Sequence, residues 1–352
     1  MLKDLGNSVY QLTYDTPIRG IPPVNGYVIV GDRPILIDGG TSDDVTYAAF
    51  KKDLAEIGLT PASLGGILVT HNHIDHIGLP SRLAGELDIP VHVHEDEWYM
   101  VTANDEQREN FRKILVETFF FWGVPMDILT MMRDKIYAAL RLGGGIPREK
   151  VVGYPSDRPL SLHGVNLEAV HCPGHTDGLV CLWWPQEKAI FSNDHVLETI
   201  SPNPTIYMKP RNGQRCGLSD YLKSLSNIEH LPVEVIYPGH GHPFHDLKSR
   251  LRDIRGFAGE RREKIARMLR DAEGKSFTIL TLVQEVWGGL DPMQTFLAAR
   301  EVHGFMEIFA EEGLTTVELR DGVGYHSWKS KRSERNPANP QGWSGEPIPS
   351  AG

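Results

Sequence analysis

The 352-residue chain is short of cysteine, of long apolar runs and of positive charge, and each shortage rules something out. Its three cysteines, Cys172, Cys181 and Cys216, are odd in number and form no Cys-x-x-Cys pair, which argues against a disulfide framework and fits a reducing compartment. No apolar stretch approaches the roughly 18–20 residues of a membrane-spanning helix. The opening MLKDLGNSVYQLTY lacks the basic-then-apolar pattern of a secretory signal, so the expected location is cytoplasmic. Acidic residues outnumber basic ones, 46 to 36, for a formal net charge of −10. That charge repels polyanions, so nucleic acid or an anionic membrane would need a locally basic surface or a bound cation. With 40% apolar and 23% charged residues the balance is that of an ordinary globular chain, long enough for one large domain and a smaller one.

What is present is a run of short apolar strands that end in turns. Residues 8–14, 26–30 and 34–38 read as strands, the last ending in Asp38-Gly39-Gly40. A helix is predicted over 43–57, a buried strand over 65–70, a helix near 79–87 and a strand over 90–94. Residues 96–142 are helical in pattern and heavy in aromatics and methionine, and Gly143-Gly144-Gly145 closes them. Such an insertion either packs as core or forms a lid over an apolar substrate pocket. Strands are predicted at 160–171, 179–184, 188–192 and 233–237, and Ser219 is a candidate cap for a helix reaching about 229. A long charged helix over 246–271, helices near 279–287 and 294–312, and a hairpin turning at Asp321-Gly322 follow the winged-helix order. The expected organisation is a main domain over 1–245 with the insertion at about 96–145, a linker helix plus winged-helix unit over 246–328, and a disordered polar tail over 329–352.

Four stretches carry the chemistry. Thr70-His71-Asn72-His73-Ile74-Asp75-His76 leaves a buried strand, and alternate residues on an extended segment point the same way, so His71 and His73 suit one ion while Asp75 and His76 suit a second. His175 stands in a tight turn within His171-Cys172-Pro173-Gly174-His175-Thr176-Asp177-Gly178. Asp194 ends the run Ile190-Phe191-Ser192-Asn193-Asp194-His195, and His240 follows Val235-Ile236-Tyr237-Pro238-Gly239. Three imidazoles and a carboxylate within six residues are costly beside a hydrophobic strand unless something coordinates them. Strand ends distant in sequence can meet on one sheet edge. Histidine and carboxylate donors without cysteine suit Zn²⁺, with Mn²⁺ or Fe²⁺ as alternatives. His171, His195 and His242 adjoin these candidates; His195 is a candidate substrate contact, although structural roles are the plainer reading.

These residues and their order resemble the metallo-β-lactamase fold superfamily over roughly residues 7–245, through HxHxDH, PGHT, the strand-end Asp and PGHG. The resemblance implies an α/β fold, an αββα sandwich of two mixed sheets with helices outside. It implies two divalent metal ions, one held by His71, His73 and His175 and the other by Asp75, His76 and His240, with Asp194 bridging. Asp38 matches the family's early Asp, which orients a ligand histidine. The implied chemistry is hydrolysis by hydroxide that the metal pair makes available near neutral pH, with Asp75 orienting the nucleophile and moving its proton.

Family patterns also narrow the activity. An Asp at 194 argues against antibiotic hydrolysis; quorum-signal lactonases carry a tyrosine three residues beyond that Asp, where this chain has Leu197. The C-terminal unit resembles the winged-helix domain of the β-lactamase-like protein 2 (LACTB2-like) branch, which includes endoribonucleases and hydrolases of small acyl compounds. Yet the helix at 294–313 carries Arg300 against Glu301, Glu307, Glu311 and Glu312, a poor partner for phosphates, so a structural wall or a homo-oligomer contact is expected of it. The expectation is a thioester or ester hydrolase acting on a small acyl compound, acyl-CoA included. The alternatives are a single-strand endoribonuclease, a lactonase, an iron-dependent redox enzyme and a winged-helix DNA-binding regulator.

Overall fold

The computed structural model describes residues 1–18, 20–102, 104–156, 159–207, 216–272 and 274–329. All of the expected tail except Lys329 lies outside them. Seven strands form the first sheet in sequence order: β1 (Leu2–Asp4), β2 (Val9–Tyr14), β3 (Val24–Ile29), β4 (Ile35–Ile37), β5 (Gly66–Val69), β6 (Val91–His94) and β7 (Val151–Tyr154). Strands β1 to β4 pair antiparallel and β4 to β7 parallel. Parallel pairing needs crossovers, and α1 (Asp44–Glu56) and α2 (Ile74–Glu86) supply two of them. Asp43 starts α1 by accepting from the backbone N–H groups of Val45 and Thr46.

The second sheet is built from β8 (Pro159–Leu162), β9 (Val165–His171), β10 (Val180–Trp184), β11 (Ala189–Asn193) and β12 (Val235–Pro238), in the order β12-β11-β10-β9-β8. Only β11 and β12 run parallel, joined through α6 (Leu218–Glu229). Tyr27, Ile29, Ile35, Ile37 and Leu68 of the first sheet pack on Leu167, Val180, Leu182, Phe191 and Tyr237 of the second. Phe50, Leu54, Leu79 and Leu83 cover the outside of the first sheet from α1 and α2. On the outside of the second, α6 and α7 (Leu247–Asp271) contribute Tyr221, Leu225, Ile228, Leu251 and Ile254. The layers are therefore helix, sheet, sheet, helix, as expected.

The insertion comprises α3 (Trp98–Val101), α4 (Asp105–Phe121) and α5 (Met126–Arg141). Phe119, Trp122 and Leu129 share one core with Ile265, Leu282, Val302, Phe305 and Phe309 from α7, α8 (Ile279–Val286) and α9 (Pro292–Glu311). The Trp122 indole N–H donates to His303 Nδ1 at 2.8 Å, and Leu280 N–H donates to the Trp122 carbonyl at 2.9 Å. The aromatic stripe is thus packing surface for the C-terminal helices. A hairpin, β13 (Thr315–Arg320) and β14 (Val323–Trp328), closes the chain against them.

Three local readings change. Helix α2 begins at Ile74, five residues before the expected start, because its first turn carries Asp75 and His76 in place of an apolar stripe and Pro80 sits inside it. The expected single strand over 160–171 is the hairpin β8–β9, turned by His163 (φ 48°) and Gly164 (φ 85°); two left-handed residues make the tight hairpin turn that Asn-Gly ordinarily signals. Ser219 lies within α6, whose start is Gly217, with no side-chain cap. A Cβ at Gly217 would lie 2.0 Å from the Gly174 carbonyl oxygen, so close packing on the His175 loop, not capping, decides the residue there.

His326 on β14 is buried, and its Nε2 has no hydrogen-bond partner. Burial, reinforced by His303, pushes it down to about 3. A histidine held neutral in the fold but free to charge when unfolded costs stability as pH falls from its ordinary 6.5 toward 3. His326→Phe is expected to remove about 2 kcal/mol of acid sensitivity at pH 5 relative to pH 7. Urea melts of both proteins at the two pH values check this; parallel losses would reject it.

Candidate metal centre

Parallel pairing brings the sequence-distant candidates together. Asp38 follows β4 and His71 follows its parallel neighbour β5; Asp194 follows β11 and His240 follows its parallel neighbour β12. The loop that returns β9 to β10 holds His175. A backbone bridge between Val24 and His240 joins the two sheets at this edge.

Among the described residues these candidates form three overlapping groups of donor atoms, one of them Asp38, His71 and His76. His71, His73, His175 and Asp194 place one donor atom each within 4.8 Å of one another, and so do Asp75, His76 and His240. Asp194 lies between them: Oδ2 is 3.4 Å from His175 Nε2 and 3.3 Å from His240 Nε2, and Oδ1 is 3.5 Å from His76 Nε2. A Cβ at Gly239 would stand 2.1 Å from Asp194 Oδ1, so only glycine lets β12 end this close. Asn193 takes φ 44°, a left-handed conformation that asparagine tolerates nearly as glycine does.

The outer nitrogens of His71, His76, His175 and His240 are engaged. His76 Nδ1 donates to Asp38 Oδ2 at 3.0 Å, His175 Nδ1 to the Asn203 carbonyl at 2.8 Å and His240 Nδ1 to the Pro23 carbonyl at 2.9 Å. Thr70 Oγ1 donates to Asp38 Oδ2 at 2.7 Å and therefore accepts from His71 Nδ1 at 3.1 Å. Each outer N–H fixes a tautomer whose inner nitrogen is a bare lone pair. His71 Nε2, His76 Nε2 and Asp194 Oδ1 are buried without a hydrogen-bond partner, and His73 Nδ1 meets His175 Nε2 at 2.8 Å. Buried acceptors facing acceptors are costly unless a cation sits among them. The donor set fits divalent metal ions.

The electrostatics divide the centre. Burial, with neighbouring imidazoles, holds His71 and His73 well below the ordinary histidine range. Burial also opposes charge on His76 and His240, but Asp194 and Asp75 outweigh it and raise both. Asp194 is held far down, burial notwithstanding, by His240 and His76. Metal entering the Asp75–His76–His240 group competes with protons for the same inward nitrogens, which makes its binding weaker in acid.

Some participants gave no sequence signal. Glu97, fully buried just before α3, accepts from Asn72 Nδ2, from Thr176 Oγ1 at 2.5 Å and from Gly178 N–H at 2.8 Å, tying two histidine loops together. Burial pushes it up to about 7 against those donors. Asn203 links His175 to α9, donating from Nδ2 to the Leu297 carbonyl at 2.8 Å. Of the flanking histidines, His195 is fully buried edge-on to Tyr221, so a substrate contact would require its uncovering. His171 stacks on His94 at 4.6 Å and donates to the Asp177 carbonyl. The three cysteines are free and buried.

The family model for the metallo-β-lactamase superfamily matches residues 19–240. The chain belongs to that superfamily. It is 24% identical over 311 residues to the Probable metallo-hydrolase YqjP of Bacillus subtilis, covering 86% of this chain and 93% of that protein. It is 24% identical over 277 residues to a Beta-lactamase-like protein 2 homolog of Caenorhabditis elegans, covering 78% and 74%. It is 28% identical over 218 residues to an Atrochrysone carboxyl ACP thioesterase of Aspergillus fumigatus, covering 58% of this chain and 46% of that one. Among solved structures, the metallo-beta-lactamase family protein TTHA1429 of Thermus thermophilus superposes with a TM-score of 0.76 at 23% identity, over 93% of this chain and 100% of that one.

Proposed function

We propose that the chain is a two-metal hydrolase of a small acyl thioester or ester, acyl-CoA among them. The observation that carries the metal reading is the set of inward lone pairs on His71, His76 and Asp194, buried and unpartnered. In this reading His71, His73 and His175 would hold one zinc ion and Asp75, His76 and His240 the other, with the Asp194 carboxylate available to both. Bound divalent cations make water nucleophilic near neutral pH and stabilise the oxyanion of an attacked carbonyl. Asp75, in the first turn of α2 with Oδ2 3.5 Å from His240 Nε2, orients the nucleophile and passes its proton toward the leaving sulfur or oxygen. Asp38, Asn203 and Pro23 keep the imidazoles in the metal-binding tautomer.

The thioesterase name of one relative supports the acyl substrate. Against single-stranded RNA stands the net charge of −10. We read the C-terminal unit as a winged-helix module used as a wall, since its α9 is hydrogen-bonded through Asn203 to His175. No helix among the described residues is long and apolar enough to cross a membrane.

The test is a panel of acyl-CoAs, simple esters, lactones and single-stranded RNA offered to zinc-loaded enzyme, with Asp75→Ala as control. Turnover of a thioester or ester, lowered about a hundredfold or more in the control, is expected. Cleavage of RNA alone would replace this reading with the endoribonuclease. Iron in protein purified without added metal, with no hydrolysis, would replace it with redox chemistry.

A further inference from the structure

The acids of α9 and its C-terminal cap are engaged. Glu301 pairs with Arg261 at 2.9 Å and Glu312 with Arg262 at 2.5 Å, and Glu307 accepts from Cys216 N–H at 2.9 Å. Arg300 is the exception on this helix. Its side chain is only partly exposed, and Nη2 is sealed from solvent with no hydrogen-bond partner. Its nearest aromatic face is Phe296, 5.4 Å from the guanidinium carbon, and among the described residues no carboxylate faces it. Residues 208–215, which precede Cys216, contain Lys209, Arg211 and Arg215 and no acid, so they offer no counter-charge.

Its place in the fold sets its helix beside the centre. His175 Nδ1 donates to the Asn203 carbonyl, and Asn203 Nδ2 donates to the carbonyl of Leu297, one turn before Arg300. Asn203 Oδ1 is itself buried without a partner. Burial lowers Arg300 itself to about 10. A guanidinium nitrogen sealed from water and left unpaired is costly, and such a group persists where a ligand completes it. Its planar fork matches carboxylate and phosphate.

We propose that Arg300 is the anion-recognition residue of this centre, holding a carboxylate or phosphate group of the substrate beside the His73–His175 half. As a statement about substrate this rests on the hydrolase reading; as a statement about anion binding it stands without it. The fork of Arg300 receives two anionic oxygens, and the helix that carries it becomes the specificity wall of the cleft.

The test uses the full-length chain, metal-free and zinc-loaded, titrated calorimetrically with inorganic phosphate and with acetate. Arg300→Gln is expected to weaken binding of the preferred anion by about tenfold or more in both states. Arg300→Lys, which keeps the charge without the fork, recovers part of the loss and covers the case in which the glutamine variant does not fold. Arg262→Gln, at a surface pair, binds like the parent. Preference for phosphate over acetate assigns a phosphoryl group, the reverse a carboxylate. Without ligand, Arg300→Gln should also melt a few degrees higher, since an unpaired buried charge is gone. Equal anion binding in parent and Arg300→Gln, or a lower melting point with binding unchanged, would overturn the proposal in favour of a structural arginine. Arg300-dependent anion binding in a chain that takes up no metal and turns nothing over would sustain it and remove the hydrolase reading instead.

Discussion

Asp194→Ala is expected to leave a protein that binds one metal ion weakly, does not bind a second, and has lost more than about a hundredfold of its turnover. The reason is geometric. Asp194 is the acid that reaches His175, His240 and His76 at 3.3 to 3.5 Å, so it is shared by both donor groups. Without it, His71, His73 and His175 still converge, but Asp75, His76 and His240 lose the charge that holds their side of the centre together. The same loss shows without metal. Burial resists charging His76 and His240 while Asp194 promotes it, so removing Asp194 should drop both toward neutrality at pH 7. Elemental analysis and an NMR titration of the imidazoles measure the two effects separately. Unchanged metal content would reject the role assigned to this residue.

Asp38 yields the second large effect, and two substitutions separate its two duties. The carboxylate is fully buried and accepts from Thr70 N–H at 2.9 Å, Thr70 Oγ1 at 2.7 Å and His76 Nδ1 at 3.0 Å. Asp38→Ala strands three buried donors and should destabilise the fold by about 3–5 kcal/mol. Asp38→Asn keeps the shape, so the fold should hold far better. Its amide nitrogen, however, takes either the Oδ2 place, facing both His76 Nδ1 and Thr70 Oγ1, or the Oδ1 place, facing the Thr70 N–H donor. Where it faces His76 it favours the opposite tautomer, with the proton on Nε2 where the metal needs a lone pair. Metal affinity is expected to fall by about 10–100-fold with little change in melting temperature. If Asp38→Asn instead unfolds as readily as Asp38→Ala while keeping its metal, Asp38 is a structural acid and the tautomer account fails.

Much of the centre was legible because the coding is local. An extended segment leaving β5 sets His71 and His73 two residues apart on one side, and the chain then turns into α2 with Asp75 and His76 in its first turn. Spacing alone therefore carried those four residues. The apolar runs before Asp194 and His240 marked them as strand ends in the same way. Two of the three local errors share one cause, which is that special backbone geometry was met by residues that do not advertise it. His163-Gly164 turns a hairpin without asparagine, and Gly217 starts α6 because a neighbouring carbonyl leaves no room for a side chain.

By itself the sequence determined the candidate donor types, their places at strand ends, the layered α/β class and the helical insertion, since period, spacing and residue chemistry are properties of neighbours along the chain. Only the tertiary structure decided that the insertion cores the C-terminal helices, that Glu97 ties Asn72 to Thr176 and that Asn203 ties His175 to α9. In each case the partner lies tens of residues or more away along the chain. A buried charge is defined by what surrounds it, and folding alone chooses those surroundings.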